Sequence, residues 1–246
     1  LLDLLARHPA TARFLATKLV RRFVSDSPPP ALVARAAATY RRTDGDLRAV
    51  VRTIVTSPEF FAAAAFRAKV KSPFELVVST MRVLGAAPDS SARTAQLVAR
   101  LGQPLFGHQA PNGWPETSEP WMNTGAILNR INFGLNVATG RVPVVRLASW
   151  PSARTLAPLP REAQVDGVIH ALLGGAVSRD TRDVLITGTN PFLQARAGQN
   201  AAASGNTTGG MMTDSAPSVA PPPPSRAAAF AQIVGLALGA PEFQRR

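Results

Sequence analysis

The chain has 246 residues, of which 46% are hydrophobic and 17% are charged, and its formal net charge is +12. This length and composition are typical of a globular protein with a hydrophobic core. Cysteine is absent. A disulfide framework, a thiolate metal site and a cysteine nucleophile are therefore excluded.

The positive charge would attract nucleic acid, anionic lipid or an acidic polysaccharide. The basic residues are mostly arginines scattered along the chain, and only one tyrosine is available to interleave with them. This pattern argues against nucleic acid as a partner and favours solvated helix faces. A functional basic patch is the alternative, with Arg21–Arg22 and Arg41–Arg42 as its centres.

The two ends of the chain and its hydropathy bear on localisation. No apolar run approaches the roughly 20 residues that a membrane-spanning helix needs. The opening sequence LLDLLARHP looks like the end of a helix already in progress, and no initiator methionine precedes it. We therefore expect a fragment, so that the lack of a visible signal peptide is uninformative.

The first hundred residues show helical periodicity with clear start and stop signals. The predicted helices cover residues 9–24, 31–41, 47–56, a short segment from 57, 72–84 and 91–101. On the first of them, the residues predicted to be buried are Phe14, Leu15, Leu19, Val20 and Phe23. The sequence SPFE at 72–75 combines a serine cap, a proline at the first helical position and a glutamate at the third, which predicts a capping box.

The second half predicts helices over 121–140, 161–173, 179–187 and 227–238. Residues 195–225 are of low complexity and end in four consecutive prolines, which predicts a flexible insert. No alternating strand pattern occurs, so the predicted fold class is all-α: an irregular multi-helix domain with a long Gly/Pro/Trp-containing loop. The predicted organisation is a helical domain at 1–194, the insert at 195–225, and a C-terminal helix at 226–246 that packs back on the domain.

Residues 101–121, LGQPLFGHQAPNGWPETSEPW, form the long loop, called loop 101–121 below. A loop of this length inside a helical protein usually has a function or covers something. His108 lies near Glu116 and Glu119, and such a set could bind a metal or perform acid–base chemistry. The spacing matches no metal motif, so we predict no metal site and favour a solvent-exposed or hydrogen-bonded His108. His108 and Glu116 are the candidate catalytic residues, and no cofactor is identified.

Three aromatic residues of the loop, Phe106, Trp114 and Trp121, could form a platform for a sugar or a peptide. The alternative, which we favour, is that they anchor the loop on the helices. Asn112 and Gly113 predict a tight turn, because both tolerate positive φ. The predicted residues for ligand or partner binding are Phe106, His108, Asn112, Trp114 and Trp121.

Five segments resemble the bacterial family DUF1800, in that family's order and spacing. They are HPATARFLATKLVRRFVSDSPPPALV, GDLRAVVRTIVTSPEFF, RAKVKSPFELVVSTMRVLGA, GQPLFGHQAPNGWP and APEFQRR. The similarity covers most of residues 1–147 and the C-terminal end. The chain resembles the C-terminal half of the family. Residues 141–225 resemble the family least.

The resemblance implies an exported protein, periplasmic or extracellular, that is often encoded beside a protein of the DUF1501 family. It implies no catalytic residue, because the family's molecular function is not established. The preferred hypothesis is a helical binding or assembly module, whose partner is a DUF1501-family protein or an envelope polymer. The alternative is a hydrolase-like enzyme of the cell envelope, whose site lies between an N-terminal half that the chain lacks and loop 101–121. Gly-rich phosphate loops, Gly-x-Ser-x-Gly and HExxH motifs are absent from the sequence.

Overall fold

Helices form the regular structure of the described part of this chain. The computed structural model describes residues 1–88, 90–142, 145–189 and 225–246, and the predicted insert lies outside these ranges except for its last residue. The α-helices are α1 Leu2–Arg7, α2 Pro9–Phe23, α3 Pro30–Arg42, α4 Leu47–Val55, α5 Pro73–Val83, α6 Arg93–Arg100, α7 Thr124–Ala138, α8 Pro151–Leu156, α9 Arg161–Leu173, α10 Arg179–Thr187, α11 Arg226–Gly239 and α12 Pro241–Gln244. Within these ranges, three short 3-10 helices cover Ala63–Ala65, Glu119–Trp121 and Leu147–Ser149. The described ranges contain no strand beyond an isolated antiparallel bridge between Val70 and Arg245, and the predicted all-α class is confirmed.

Side-chain caps determine where several of these helices begin. The backbone N–H of Ser72 donates to Glu75 Oε2 at 2.9 Å, and the N–H of Glu75 donates to Ser72 Oγ at 3.3 Å. This reciprocal pair confirms the capping box predicted for α5. Asp46 caps α4 in a simpler way, since its Oδ1 accepts the N–H groups of Arg48 and Ala49.

The first of two compact units consists of Leu1–Val78, Ser91–Asn129 and Gln244–Arg246, and we call it unit 1. Its core is built where α2, α3 and α4 pack together. On α2 the buried residues are Ala12, Ala16 and Val20, whereas Phe14 and Phe23 are exposed. The prediction that these two phenylalanines are buried is therefore wrong. Small residues four positions apart form the contact face instead.

The short helix predicted from residue 57 is not formed, and that prediction is also wrong. The chain turns there, because the buried hydroxyl of Ser57 donates to the carbonyl of Ile54 at 2.7 Å. The N–H of Phe60 then donates to the carbonyl of Ser57 at 3.2 Å. Phe60 packs against the α2–α4 core from this turn.

The second unit, unit 2, consists of Ser79–Ser90 and Arg130–Phe243. Within it α9 packs against α8, α10 and α11. Its core includes the indole of Trp150, which stacks on the ring of Phe230 with centroids 6.4 Å apart. Gly134 and Gly235 bring the backbones of α7 and α11 into close approach, since a Cβ built on Gly134 would lie 2.6 Å from the Gly235 carbonyl oxygen.

Candidate functional site

Loop 101–121 lies in unit 1 and consists of tight turns with one short 3-10 helix. The N–H of Gly107 donates to the carbonyl of Pro104 at 3.0 Å, which closes a four-residue turn. Phe106 occupies the third position of that turn with φ of 60°. Gly113 has φ of 72°, as the turn predicted at 112–113 requires of a glycine.

Four of the predicted binding residues contact one another in series. The Nε2 atom of His108 lies 3.0 Å from Asn112 Oδ1. The rings of His108 and Trp114 are 4.7 Å apart, and the rings of Trp114 and Trp121 are 5.9 Å apart. Trp121 is buried, and its indole N–H donates to the carbonyl of Pro115 at 3.1 Å. This series holds the second half of the loop in a defined shape.

Phe106 and Glu116 are separate from that series. The Phe106 side chain projects into solvent, with a relative exposure of 103%. The Glu116 carboxylate pairs with Lys18 at 3.5 Å, and its backbone carbonyl accepts from Lys69. In the described part of the chain, no group of three His, Cys, Asp or Glu residues is placed to hold a metal ion.

A buried ion pair fastens the base of the loop. The Lys69 side chain is only 5% exposed, and its Nζ atom lies 2.5 Å from Asp26 Oδ1 and 3.1 Å from the Glu116 carbonyl oxygen. The other Asp26 oxygen accepts the backbone N–H of Ser118 at 2.7 Å. Burial alone would raise the pKa of Asp26, but the hydrogen bonds from Lys69 and Ser118 outweigh it and hold that pKa below its ordinary value.

A second charged cluster lies around Glu75. Its Oε1 atom accepts from Arg22 at 2.8 Å and from Arg246 at 3.1 Å. Burial would raise the pKa of Glu75, but the Ser72 N–H and the charges of the two arginines lower it overall. Arg22 belongs to one of the two predicted centres of basic charge, and here its charge is directed to a specific carboxylate.

Side chains from both clusters line a cleft of about 260 Å³ in unit 1, which we call the Glu75 cleft. The residues that line it include Arg22, Glu75, Gln103, Trp114, Trp121 and Arg246. The cleft therefore combines charged hydrogen-bonding groups with two indole side chains. The cleft is also lined by Glu116. The sequence predicted Trp114 and Trp121 as binding residues, Glu116 as a candidate catalytic residue, and Arg22 only within the alternative of a basic patch.

The sequence did not predict Asp26, Glu75, Lys69 or Arg246 as residues of this site. Local signals indicated simpler roles for the first two and none for the others. Asp26 lies in a Ser-Asp-Ser segment that reads as a helix stop, and Glu75 reads as a helix cap. Lys69 and Arg246 lie in segments that resemble the family, but nothing in those segments assigned a role to either residue. The local signal at Glu75 was correct, but one carboxylate oxygen serves the cap while the other serves the two arginines.

Lys71 provides a test of the electrostatics near this cluster. Burial lowers the pKa of Lys71 to about 8, the charge of Glu75 opposes that shift, and the charges of Arg67 and Arg246 add to it. An unfolded lysine has a pKa of about 10.4. Between pH 8 and that value the unfolded chain therefore binds more protons than the folded chain. The free energy of unfolding is expected to rise with pH over this range.

Lys71→Gln should remove this rise and stabilise the protein at pH 7 by about 1–2 kcal/mol, after allowance for solvent screening. Urea unfolding at pH 7 and pH 10 measures both effects. Lys18→Gln is the matched control and should retain the rise. If Lys71→Gln shows the same pH dependence as the parent protein, the assignment to Lys71 is wrong.

The similarity of this chain to known proteins lies at the level of a family. No curated protein and no solved structure matches the chain. Among the helices of the described ranges, none has the length and apolar character to cross a membrane. The family described as "Protein of unknown function (DUF1800)" matches residues 1–245, a range that includes the segment 141–225. The chain therefore belongs to the DUF1800 family.

Proposed function

We propose that this chain is a binding or assembly module that contacts a partner protein through the tip of loop 101–121. The observation that carries the proposal is the Phe106 ring, which is 103% exposed on a backbone with φ of 60°. A bulky residue rarely adopts positive φ, and the conformation costs about 1–3 kcal/mol. Folding of the chain gains no burial from Phe106 to offset that cost, so a role in recognition accounts for the ring better than a role in stability.

The surroundings of Phe106 suit a recognition element. Leu105 precedes it and is 42% exposed, so two apolar side chains stand together at the tip. The base of the loop is fastened by the buried pair of Lys69 and Asp26. An aromatic residue presented on an ordered loop loses little conformational entropy on binding, which is typical of the few residues that dominate interface energies.

A DUF1501-family protein is the partner to test first, because the family resemblance implies that the two are often encoded side by side. The proposal includes export of the chain to the periplasm or the cell exterior, where an envelope polymer is the other available partner. The hydrolase-like alternative has less support. His108 bonds to Asn112 and Glu116 pairs with Lys18, so each of the two candidate catalytic residues is held by a different side chain.

Phe106→Ser is expected to weaken binding to the neighbouring DUF1501-family protein by about 30-fold, the effect of losing a dominant interface residue. Isothermal titration with the two purified proteins measures the change. Phe61→Ser is the matched control, because Phe61 is also an exposed phenylalanine of unit 1 but lies outside the loop. Its affinity should stay within about threefold of the parent value.

Two results would contradict the proposal. If the parent protein does not bind the DUF1501-family protein, that partner is wrong. If it binds and both phenylalanine variants retain full affinity, the tip of loop 101–121 is not the contact surface.

A further inference from the structure

We infer that the Glu75 cleft is a binding site for a carboxylate-bearing sugar. This site is distinct from the proposed partner contact at Phe106, and either one can be correct without the other. Three features of the cleft support this binding site. They are its charge, its indole side chains, and the neighbouring backbone N–H groups, which already donate to acceptors within the protein.

The charge of the cleft favours an anionic ligand. Arg22 and Arg246 both donate to the same oxygen of Glu75, so two guanidinium groups face that carboxylate. The other carboxylate that lines the cleft, Glu116, already pairs with Lys18. The Arg22 side chain is about half exposed and therefore reaches solvent while it holds this contact. A guanidinium has five N–H donors, and a ligand carboxylate beside the pair would receive charge-assisted hydrogen bonds and balance the second positive charge.

The titration of Lys71 is consistent with that excess of positive charge. Burial is the main reason that its pKa falls to about 8, and the charges of Arg67 and Arg246 lower it further. An anion in the neighbouring cleft would oppose this lowering.

The indole side chains favour a ring over a simple anion. Trp114 and Trp121 both line the cleft; Trp121 is buried, whereas Trp114 is partly exposed and contacts the rings of His108 and Trp121 at tilted angles. The exposed part of the Trp114 indole can contact the C–H groups of a pyranose, while the sugar hydroxyls need side chains such as Gln103 and Glu116. The volume of about 260 Å³ lies just below the roughly 300–1,000 Å³ of sites for drug-sized ligands, which is suited to a single ring.

The backbone beside the cleft favours a sugar over a peptide. The N–H of Lys69 donates to the carbonyl of Arg246, and the N–H of Lys71 donates to that of Gln244. Between them, the N–H of Val70 donates to Ser118 Oγ at 3.2 Å. A peptide recognised by strand addition would need these groups, and they are already in use. Hydrogen bonds to a ligand must therefore come from side chains, which can bind sugar hydroxyls and carboxylates.

Titration of the full chain with D-glucuronate, followed by tryptophan fluorescence and calorimetry at constant ionic strength, tests this site. We expect saturable binding that is at least tenfold tighter than that of D-glucose or acetate. Arg22→Gln and Trp114→Leu should each weaken glucuronate binding about tenfold or more, because each removes one of the two recognition elements. Arg41→Gln, which changes an exposed arginine at the end of α3, should bind like the parent.

Several outcomes would overturn the inference. Absence of saturable glucuronate binding refutes the site. Equal affinity for acetate makes it a simple anion site, equal affinity for D-glucose removes the role of charge, and tighter binding of N-acetyl-alanine identifies a peptide carboxylate instead. Circular dichroism checks each variant, and if Trp114→Leu does not fold, retention of full affinity by Arg22→Gln is sufficient to refute the inference.

Discussion

Replacement of Asp26 by alanine is expected to lower the free energy of unfolding by about 3 kcal/mol. The Lys69 ammonium is buried, and the Asp26 carboxylate 2.5 Å away is its only charged partner among the described contacts. Removal of one member of a buried ion pair leaves an uncompensated charge, which costs about 3–5 kcal/mol. The lower end of that range applies, because Asp26 itself is 25% exposed and the Glu116 carbonyl still accepts from Lys69.

The same substitution removes a second interaction. The backbone N–H of Ser118 loses its acceptor, Asp26 Oδ2, so the base of loop 101–121 loses this attachment and keeps the contact from Lys69 to the Glu116 carbonyl. We therefore expect faster amide hydrogen exchange across residues 114–121 in Asp26→Ala. This links the loss of stability to the loop that carries the predicted binding residues.

Asp44→Asn is the control for Asp26→Ala, since Asp44 has φ of 49°, which asparagine tolerates better than alanine. Asp44 pairs with Arg7 at 3.0 Å, but both side chains are largely exposed. Exposed ion pairs contribute about 0–1 kcal/mol, so this variant should unfold close to the parent. Urea unfolding monitored by tryptophan fluorescence compares the two, and equal losses would show that burial of Lys69 does not set the cost.

The fold was predictable where the signals are local. The predicted bounds of α9 and α10 agree with the observed helices, because Gly174 and Gly188 end them in the left-handed conformation and Ser178 caps the second. Such caps involve neighbours within a few residues of the helix end. Helix α8 was not predicted, since six residues are too few to display a helical period.

The buried face of α2 shows a limit of hydrophobic patterning. The sequence pattern favoured the large residues Phe14 and Phe23, yet Ala12 and Ala16 are buried in their place. Hydrophobicity alone ranks phenylalanine above alanine, but the partner helices of α2 determine which stripe is covered. That information is not contained in the periodicity of a single helix.

The candidate site, like the fold, was predictable from the sequence only where its signals are local. Loop 101–121 and its aromatic residues were predicted from composition, because tryptophan, glycine and proline cluster within one segment. The pair of Asp26 and Lys69 was not, since 43 residues separate its members and neither segment carries a local signal for the contact. Contacts between residues far apart in sequence arise from tertiary packing, which requires the fold to be known.

Gly134→Ala is expected to lower the free energy of unfolding by about 2 kcal/mol. The added Cβ would lie 2.6 Å from the carbonyl oxygen of Gly235 and 3.1 Å from the backbone nitrogen of Gly239, both in α11. Backbone atoms cannot rotate aside as a side chain can, so α7 and α11 must move apart. Overpacking costs about 1–3 kcal/mol, and the upper end applies because the contacts are to backbone atoms. The gain of about 1 kcal/mol in helix propensity then leaves a net loss of about 2 kcal/mol.

Gly125→Ala provides the control in the same helix with the same chemical change. Its added Cβ would meet only Asn123 Oδ1 at 3.5 Å, an ordinary contact distance. This variant should be as stable as the parent or more stable by about 0.5 kcal/mol, because alanine is the better helix former. Thermal unfolding ranks the two variants, and hydrogen exchange of the α11 amides locates the change. A Gly134→Ala protein as stable as Gly125→Ala would mean that α7 and α11 separate without cost, so that close backbone approach is not what holds these two helices together.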